Sequence, residues 1–160
     1  MNDRESWLDV SWVHGQTSAR ALSTTRLGGT SVGHYAGFNL ATHVGDAVST
    51  VQENRDRLLK HIGCSRIQWL EQFHGNACLQ VDHSTACQVP RADACWTVQT
   101  GLALAVLTAD CLPVVLVSRG ARSPMVGIAH AGWRGITSGV LEQLLDTMPC
   151  NPAELEAWLG

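Results

Sequence analysis

Three side chains far apart in the sequence share one kind of local setting. His74 lies in Gln72-Phe73-His74-Gly75, Cys111 in Thr108-Ala109-Asp110-Cys111-Leu112-Pro113, and His130 in His130-Ala131-Gly132-Trp133-Arg134-Gly135. Each stands where an apolar, strand-like run ends and a turn rich in Gly or Pro begins. A rigid sheet can hold a side chain at such a point while leaving its tip accessible. Two imidazoles and a thiolate form a zinc donor set, and three protein ligands leave the fourth position open, as catalytic sites do. The separations, 37 residues from 74 to 111 and 19 from 111 to 130, match no short metal motif. The same trio permits a second chemistry, with Cys111 as nucleophile and either histidine as its base. That chemistry needs a neighbour that lowers the thiol pKa. Two His and one Cys are also the equatorial set of a blue-copper site, which needs a weak axial ligand as well. A multicopper oxidase cluster would draw on His-x-His pairs, and the seven histidines include none.

A second group of residues could meet an anion. Arg26-Leu27-Gly28-Gly29-Thr30-Ser31 could bind one through backbone N–H groups and a guanidinium, or be a tight structural loop. It has neither Walker A nor dinucleotide-fingerprint spacing. Arg134 falls just before a helix expected over 136–148. A cation is unfavourable at that positive end unless it serves an anionic ligand held there. The zinc deaminase pattern of His-x-Glu with Pro-Cys-x-x-Cys is missing.

The elements that must position these groups are short and mixed. Trp7 to Val13 alternates like a half-buried strand, and a second strand covers Ala19 to Thr24. Arg26 to Gly37 has no period and reads as an ordered loop. A helix is expected over Ser49–Ile62, with Ser49 and Gln52 as a capping box and Gly63 as its stop. Ile67–Leu70 and Ala77–Val81 read as strands flanking His74, with a polar connection over His83–Arg91. Leu102–Thr108, Val114–Val117 and Met125–Ala129 are apolar runs suited to strands covered on both faces. Ile136, Val140, Leu141, Leu144, Leu145 and Met148 fall on one face of a single helix ending before Pro149. Leu155–Leu159 is strand-like. Strands and helices do not alternate strictly, so the class is α+β or mixed α/β.

Composition narrows the function classes. The chain has 160 residues, enough for one domain with a sizeable core. With 45% hydrophobic and 16% charged residues it is not a disordered chain. Its longest apolar run, Leu102 to Leu107, is far too short to span a bilayer. Met1 to Glu5 is charged and leads into no signal-peptide core. A net charge of -3 argues against a nucleic-acid surface. Cys64, Cys78, Cys87, Cys95, Cys111 and Cys150 form no Cys-x-x-Cys pair, so free thiols are expected, mostly as small buried hydrophobes.

Taken in order, Thr24-Thr25-Arg26-Leu27-Gly28-Gly29-Thr30-Ser31, Phe38-Asn39-Leu40, His43-Val44-Gly45-Asp46, Asn54-Arg55 and the three motifs around His74, Cys111 and His130 resemble the YfiH/laccase-domain family. Its members were once called multicopper polyphenol oxidoreductases and are now viewed as purine nucleoside phosphorylases. The resemblance spans nearly the whole chain. It implies one zinc per chain on His74, Cys111 and His130, with copper the less favoured metal, and gives the same three residues the catalytic role. It implies an α+β fold, layered α/β/β/α with mixed β-sheets. It also implies phosphorolysis of adenosine, inosine, guanosine and methylthioadenosine, with adenosine deamination as a second activity. Arg26, Asn39 and Arg134 would line the substrate pocket. The partners so implied are a purine nucleoside and phosphate, with no nucleic acid and no membrane, in a cytoplasmic protein that admits a homodimer.

The sequence departs from the family in three places. Phe73 replaces the usual Val before the first ligand. Cys95-Trp96-Thr97 follows Ala92-Asp93-Ala94 where small aliphatic residues are usual. Family members also run on past a Trp-Leu-Gly-like segment, so the expectation is a single domain over 1–160 that lacks its C-terminal part. Two other classes stand beside the phosphorylase: a peptidoglycan-precursor editing amidase using Cys111 or the metal, and a non-catalytic zinc-binding module. Phosphate-dependent release of ribose 1-phosphate marks the first class. Cleavage of a muramyl–amino acid bond without phosphate marks the amidase.

Overall fold

The structure, a computed structural model, describes residues 7–12, 17–119 and 124–160. The charged start and Val13, the end of the first expected strand, lie outside the described residues. The chain divides into two compact units, whose described residues are 7–10 and 20–64 in the first and 11–12, 17–19, 65–119 and 124–160 in the second.

In the first unit, β1 (Trp7–Asp9) pairs antiparallel with β2 (Leu22–Thr24). The glycine-rich stretch is an ordered loop, closed by the bridge of Ser31 to Gly37. It leads to α1 (Val48–Ile62), which begins one residue before the expected start. The capping box does not form. Ala47 is the N-cap and contributes no side-chain bond, while Gln52 donates to Asp56 Oδ1 one turn on, at 2.8 Å. Gly63 does end the helix, in the left-handed region at φ 68°, with its N–H on the Leu59 carbonyl. Helix α1 buries Val51 and Leu58 as its apolar spacing predicts, and with them the polar Asn54.

The second unit holds a five-stranded mixed sheet. Its strands are β4 (Cys78–Gln80), β5 (Ala94–Thr97), β7 (Leu112–Ser118), β8 (Val126–Ala131) and β9 (Leu155–Leu159), in the order β4-β5-β8-β7-β9. The β4–β5 pair is parallel and the rest are antiparallel. A separate parallel pair joins β3 (Arg66–Gln68) to β6 (Leu102–Leu104). The α+β class with mixed sheets is thus as expected. Strand β5 is buried throughout, because its side chains alternate between two cores. Ala94 and Trp96 join Val114, Leu116, Ala129 and Ala131, whereas Cys95 joins Leu70, Val81, Ala92 and Leu102.

The expected 136–148 helix is two helices, α2 (Trp133–Thr137) and α3 (Val140–Thr147). Gly139 between them adopts φ 83°, a conformation that ends a right-handed helix and that glycine adopts without a Cβ penalty. After this break Val140 and Leu144 point into the first core, with Met148 just past the helix end, and Ile136 is left exposed. Arg134 therefore lies inside the short α2, not ahead of a long helix. All six cysteines are free. Only Cys95 is buried and Cys87 is exposed, so burial describes fewer of them than expected. Among the described residues, no helix is long and apolar enough to cross a membrane.

Candidate metal centre

The antiparallel register of β7 and β8 builds half of the site. Leu112 pairs with Ala131 and Pro113 with His130. One step beyond, Cys111 comes opposite Gly132. A Cβ on Gly132 would lie 2.7 Å from the Cys111 Sγ and 3.4 Å from the His74 Cδ2. Any larger residue there would occupy the space that the thiol and the imidazole share. Two of the three motifs thus meet through strand pairing, which explains why their sequence spacing carries no metal signature.

His74 arrives on the loop between β3 and β4. Gln72 ties this loop to the segment leading to Cys111: its Nε2 donates to the Leu107 carbonyl at 2.8 Å, and its Oε1 accepts the Leu107 N–H at 2.7 Å. His74 itself sits at φ 62°, the one non-glycine residue with a positive φ among the described residues. Its ring stands edge-on to that of His130, with centroids 4.7 Å apart and an interplanar angle of 77°. Beneath the loop lies Asp93, fully buried at the entrance to β5. Its carboxylate accepts N–H bonds from Phe73 at 3.2 Å, His74 at 2.9 Å and Gly75 at 2.8 Å. Its Oδ1 also lies 2.9 Å from Nδ1 of His130, within hydrogen-bond distance.

The outcome is that His74, Cys111 and His130 come together, with their ligand atoms all within 4.8 Å of one another. They are the single such group of His, Cys, Asp or Glu side chains among the described residues. Tetrahedral zinc, with bonds of about 2.0–2.3 Å, would draw these atoms to roughly 3.3–3.7 Å of each other. The set needs only a modest contraction to hold an ion. With Nδ1 of His130 directed at a carboxylate, its Nε2 is the nitrogen left for a metal. Burial falls from His130 through Cys111 to the exposed His74, so the group can be approached from the His74 side. Donor types, spacing and the space kept by Gly132 all fit a metal ion.

The surroundings of Cys111 do not fit a free thiolate. Lost hydration, then the adjacent Asp110 carboxylate by charge and hydrogen bond, then the charge of Asp93, push its thiol above the ordinary value. A nucleophilic cysteine calls for the opposite, whereas a coordinated cation deprotonates a thiol directly.

The other expected site residues are placed as follows. Arg134 is exposed and packs its guanidinium over the Trp133 ring, 4.9 Å from the centroid. Arg26 and Asn39 belong to the first unit. Arg26 donates from Nη2 to the Ala36 carbonyl at 3.1 Å, leaving other guanidinium donors uncommitted to that bond. Asn39 donates to Asp46 Oδ2 at 2.9 Å and accepts the Ala41 N–H at 3.0 Å, so its amide braces the loop. Phe73, the bulky departure beside the first ligand, lies against Gly75 under the Arg91 guanidinium, 4.6 Å from its ring centroid. Sequence reasoning missed Asp93 and the clamp made by Gln72. The available signal for Asp93 was a lone acid inside an apolar run, a placement that requires partners once buried.

Known proteins are similar to this chain. Residues 20–160 match the family described as multi-copper polyphenol oxidoreductase laccase. Purine nucleoside phosphorylase PA4543 of Pseudomonas aeruginosa is 41% identical over 155 residues, covering 97% of this chain and 61% of that protein. Purine nucleoside phosphorylase YfiH of Escherichia coli is 43% identical over 141 residues, covering 88% and 57%. The crystal structure of Neisseria meningitidis protein NMB0706 superposes with a TM-score of 0.88 at 37% identity, covering 97% of this chain and 62% of that one. The chain thus spans about three-fifths of the length of these relatives. With a match over most of its residues and two-fifths identity to curated relatives, the chain belongs to the multi-copper polyphenol oxidoreductase laccase family, the YfiH family of the sequence motifs.

Proposed function

We propose that this chain carries the metal centre of a zinc-dependent purine nucleoside phosphorylase. The observation that supports it most is the convergence of His74, Cys111 and His130 in a chain similar to proteins named purine nucleoside phosphorylases. The substrates would be adenosine, inosine, guanosine and methylthioadenosine, with adenosine deamination as a second reaction. One zinc per chain would be held by Cys111 Sγ, His130 Nε2 and the His74 ring. When bound, it supplies Lewis acidity toward an oxygen ligand.

In phosphorolysis a phosphate oxygen bonds to the ribose C1′. The bond from C1′ to the purine nitrogen breaks, its electron pair leaves with the base, and the base takes up a proton. This chain's contribution is to bind the anion and orient the sugar. The guanidinium groups of Arg26 and Arg134 are assigned to phosphate, since their forked donors match its oxygens. Asn39 is assigned to the nucleoside, at the expense of its bonds within the loop.

The test is turnover of adenosine by zinc-loaded protein, with and without phosphate. The expected result is release of adenine and ribose 1-phosphate only when phosphate is present. Substituting Arg134→Ala should raise the apparent KM for phosphate and slow phosphorolysis more than deamination, since only phosphorolysis uses the anion. Equal nucleoside cleavage without phosphate would replace the phosphorylase with a hydrolase.

A further inference from the structure

We propose that Asp93 is the positioning residue of the metal centre, setting at once the backbone of one ligand and the tautomer of another. This rests on reading the triad as a metal centre. A carboxylate offers about four lone-pair sites. Here all four are used, two on each oxygen. Oδ1 accepts the His74 N–H and the His130 Nδ1–H, and Oδ2 accepts the N–H groups of Phe73 and Gly75. Three of these groups are backbone N–H groups that can only donate, and the residue is fully buried, so its side chain serves them as an acceptor.

Each bond has a consequence for coordination. Three consecutive N–H groups converging on one carboxylate hold the loop in the turn that puts His74 at φ 62°. A left-handed non-glycine residue persists only where its surroundings over-determine it. The fourth bond fixes the proton of His130 on Nδ1 and turns Nε2 into the ligand nitrogen. Asp93 is itself held at its backbone, since its carbonyl accepts the His130 N–H at 2.7 Å and its N–H donates to the Ala77 carbonyl at 3.1 Å. One side chain therefore fixes two ligands carried by different segments before any ion arrives.

The substitution that isolates this role is Asp93→Asn, which keeps size and shape. Whichever way the amide turns, its NH2 confronts two N–H donors. They are either those of Phe73 and Gly75 or those of His74 and His130. Zinc affinity, measured on folded protein against a chromophoric chelator, should fall about 10- to 100-fold. Nitrogen-15 NMR of the wild-type protein, with and without zinc, should show the His130 ring proton on Nδ1. This second measurement stands even if the variant does not fold. A wild-type ring protonated on Nε2 instead overturns the proposal. So does a folded D93N protein that binds zinc within about twofold of wild type, which would reduce Asp93 to a structural brace. Wild-type protein that takes up no zinc at all sinks the metal centre itself, and is thereby told apart from a failure of Asp93 alone.

Discussion

Two buried polar groups, one in each unit, solve the same problem with different chemistry. Asn54 on α1 uses all four of its hydrogen-bonding capacities. Its Oδ1 accepts from the Thr30 N–H at 3.0 Å and from the Thr30 hydroxyl at 3.2 Å, and its Nδ2 donates to the Ser31 hydroxyl at 3.1 Å and the Asn39 carbonyl at 3.0 Å. Asp93 likewise fills all its sites, but only as an acceptor. The neutral amide knits a glycine-rich loop to a helix and can satisfy donors and acceptors alike. The carboxylate can gather only donors, and so it selects a tautomer at His130 and leaves a ligand nitrogen facing away. The amide hub fixes a loop, whereas the carboxylate hub fixes the direction of a lone pair.

The comparison breaks most visibly at the ligands. Substituting His130→Ala removes one of three donors and leaves Asp93 with an unfilled site. Elemental analysis should find zinc falling from about one per chain to a small fraction of that, since a catalytic-type site relies on all three of its protein ligands. If the variant keeps its zinc and loses it instead on changing Cys64 or Cys150, the metal uses a different thiol. Zinc content should be indifferent to the amide hub. Asn54→Ala should leave zinc at one per chain in the folded protein while lowering stability by about 3 kcal/mol. It strands the half-buried Thr30 N–H and Asn39 carbonyl, at about 1–3 kcal/mol for each unsatisfied group. Urea denaturation followed by fluorescence gives that number. A loss below roughly 0.5 kcal/mol would mean the loop finds other partners.

These hubs also mark how far the sequence could be read. The three candidate ligands were legible because each stands within two residues of glycine or proline at the end of an apolar run, a pattern that needs no knowledge of tertiary pairing. Their convergence was not, because it arises from the register of β7 on β8 and from the Gln72 clamp, both of which join residues distant in sequence. Strand β5 escaped notice for a related reason. It is buried on both faces, so it shows none of the polar alternation that announces a strand, and Asp93 beside it resembled an isolated charge. The break at Gly139 was hidden by apolar residues whose spacing continues smoothly across it. Only the left-handed backbone there divides one expected helix into two. The capping box failed because helix α1 starts at Val48, which puts Ser49 inside the first turn rather than at the cap.

The mildest test concerns Asp46, which extends the amide hub into a titratable one. Its carboxylate accepts from Asn39 Nδ2 at 2.9 Å, from the Ser31 hydroxyl at 2.7 Å and from the Ala47 N–H at 2.8 Å. The Asn39 bond foremost, then the Ser31 bond, hold its pKa below the ordinary 3.8; lost hydration opposes them, and the Ala47 N–H adds the weakest lowering effect. Because the folded value is the lower one, protons bind the unfolded chain more readily. The stabilisation from Asp46 is therefore complete above the unfolded value of 3.8 and fades as pH falls through the folded value. Asp46→Asn cannot ionise and keeps only part of this acceptor capacity. The stability difference between wild type and D46N should hold constant from about pH 7 to pH 5 and then shrink below the ordinary carboxylate range near pH 4. Urea midpoints at pH 6, 4 and 3 measure it. A difference that stays the same across all three would show that the Asn39 and Ser31 bonds do not distinguish the charged carboxylate from its protonated form. The loop around Asn54 would then be held by neutral bonds alone, in contrast to the backbone N–H groups of Phe73, His74 and Gly75 gathered by the Asp93 carboxylate in the second unit.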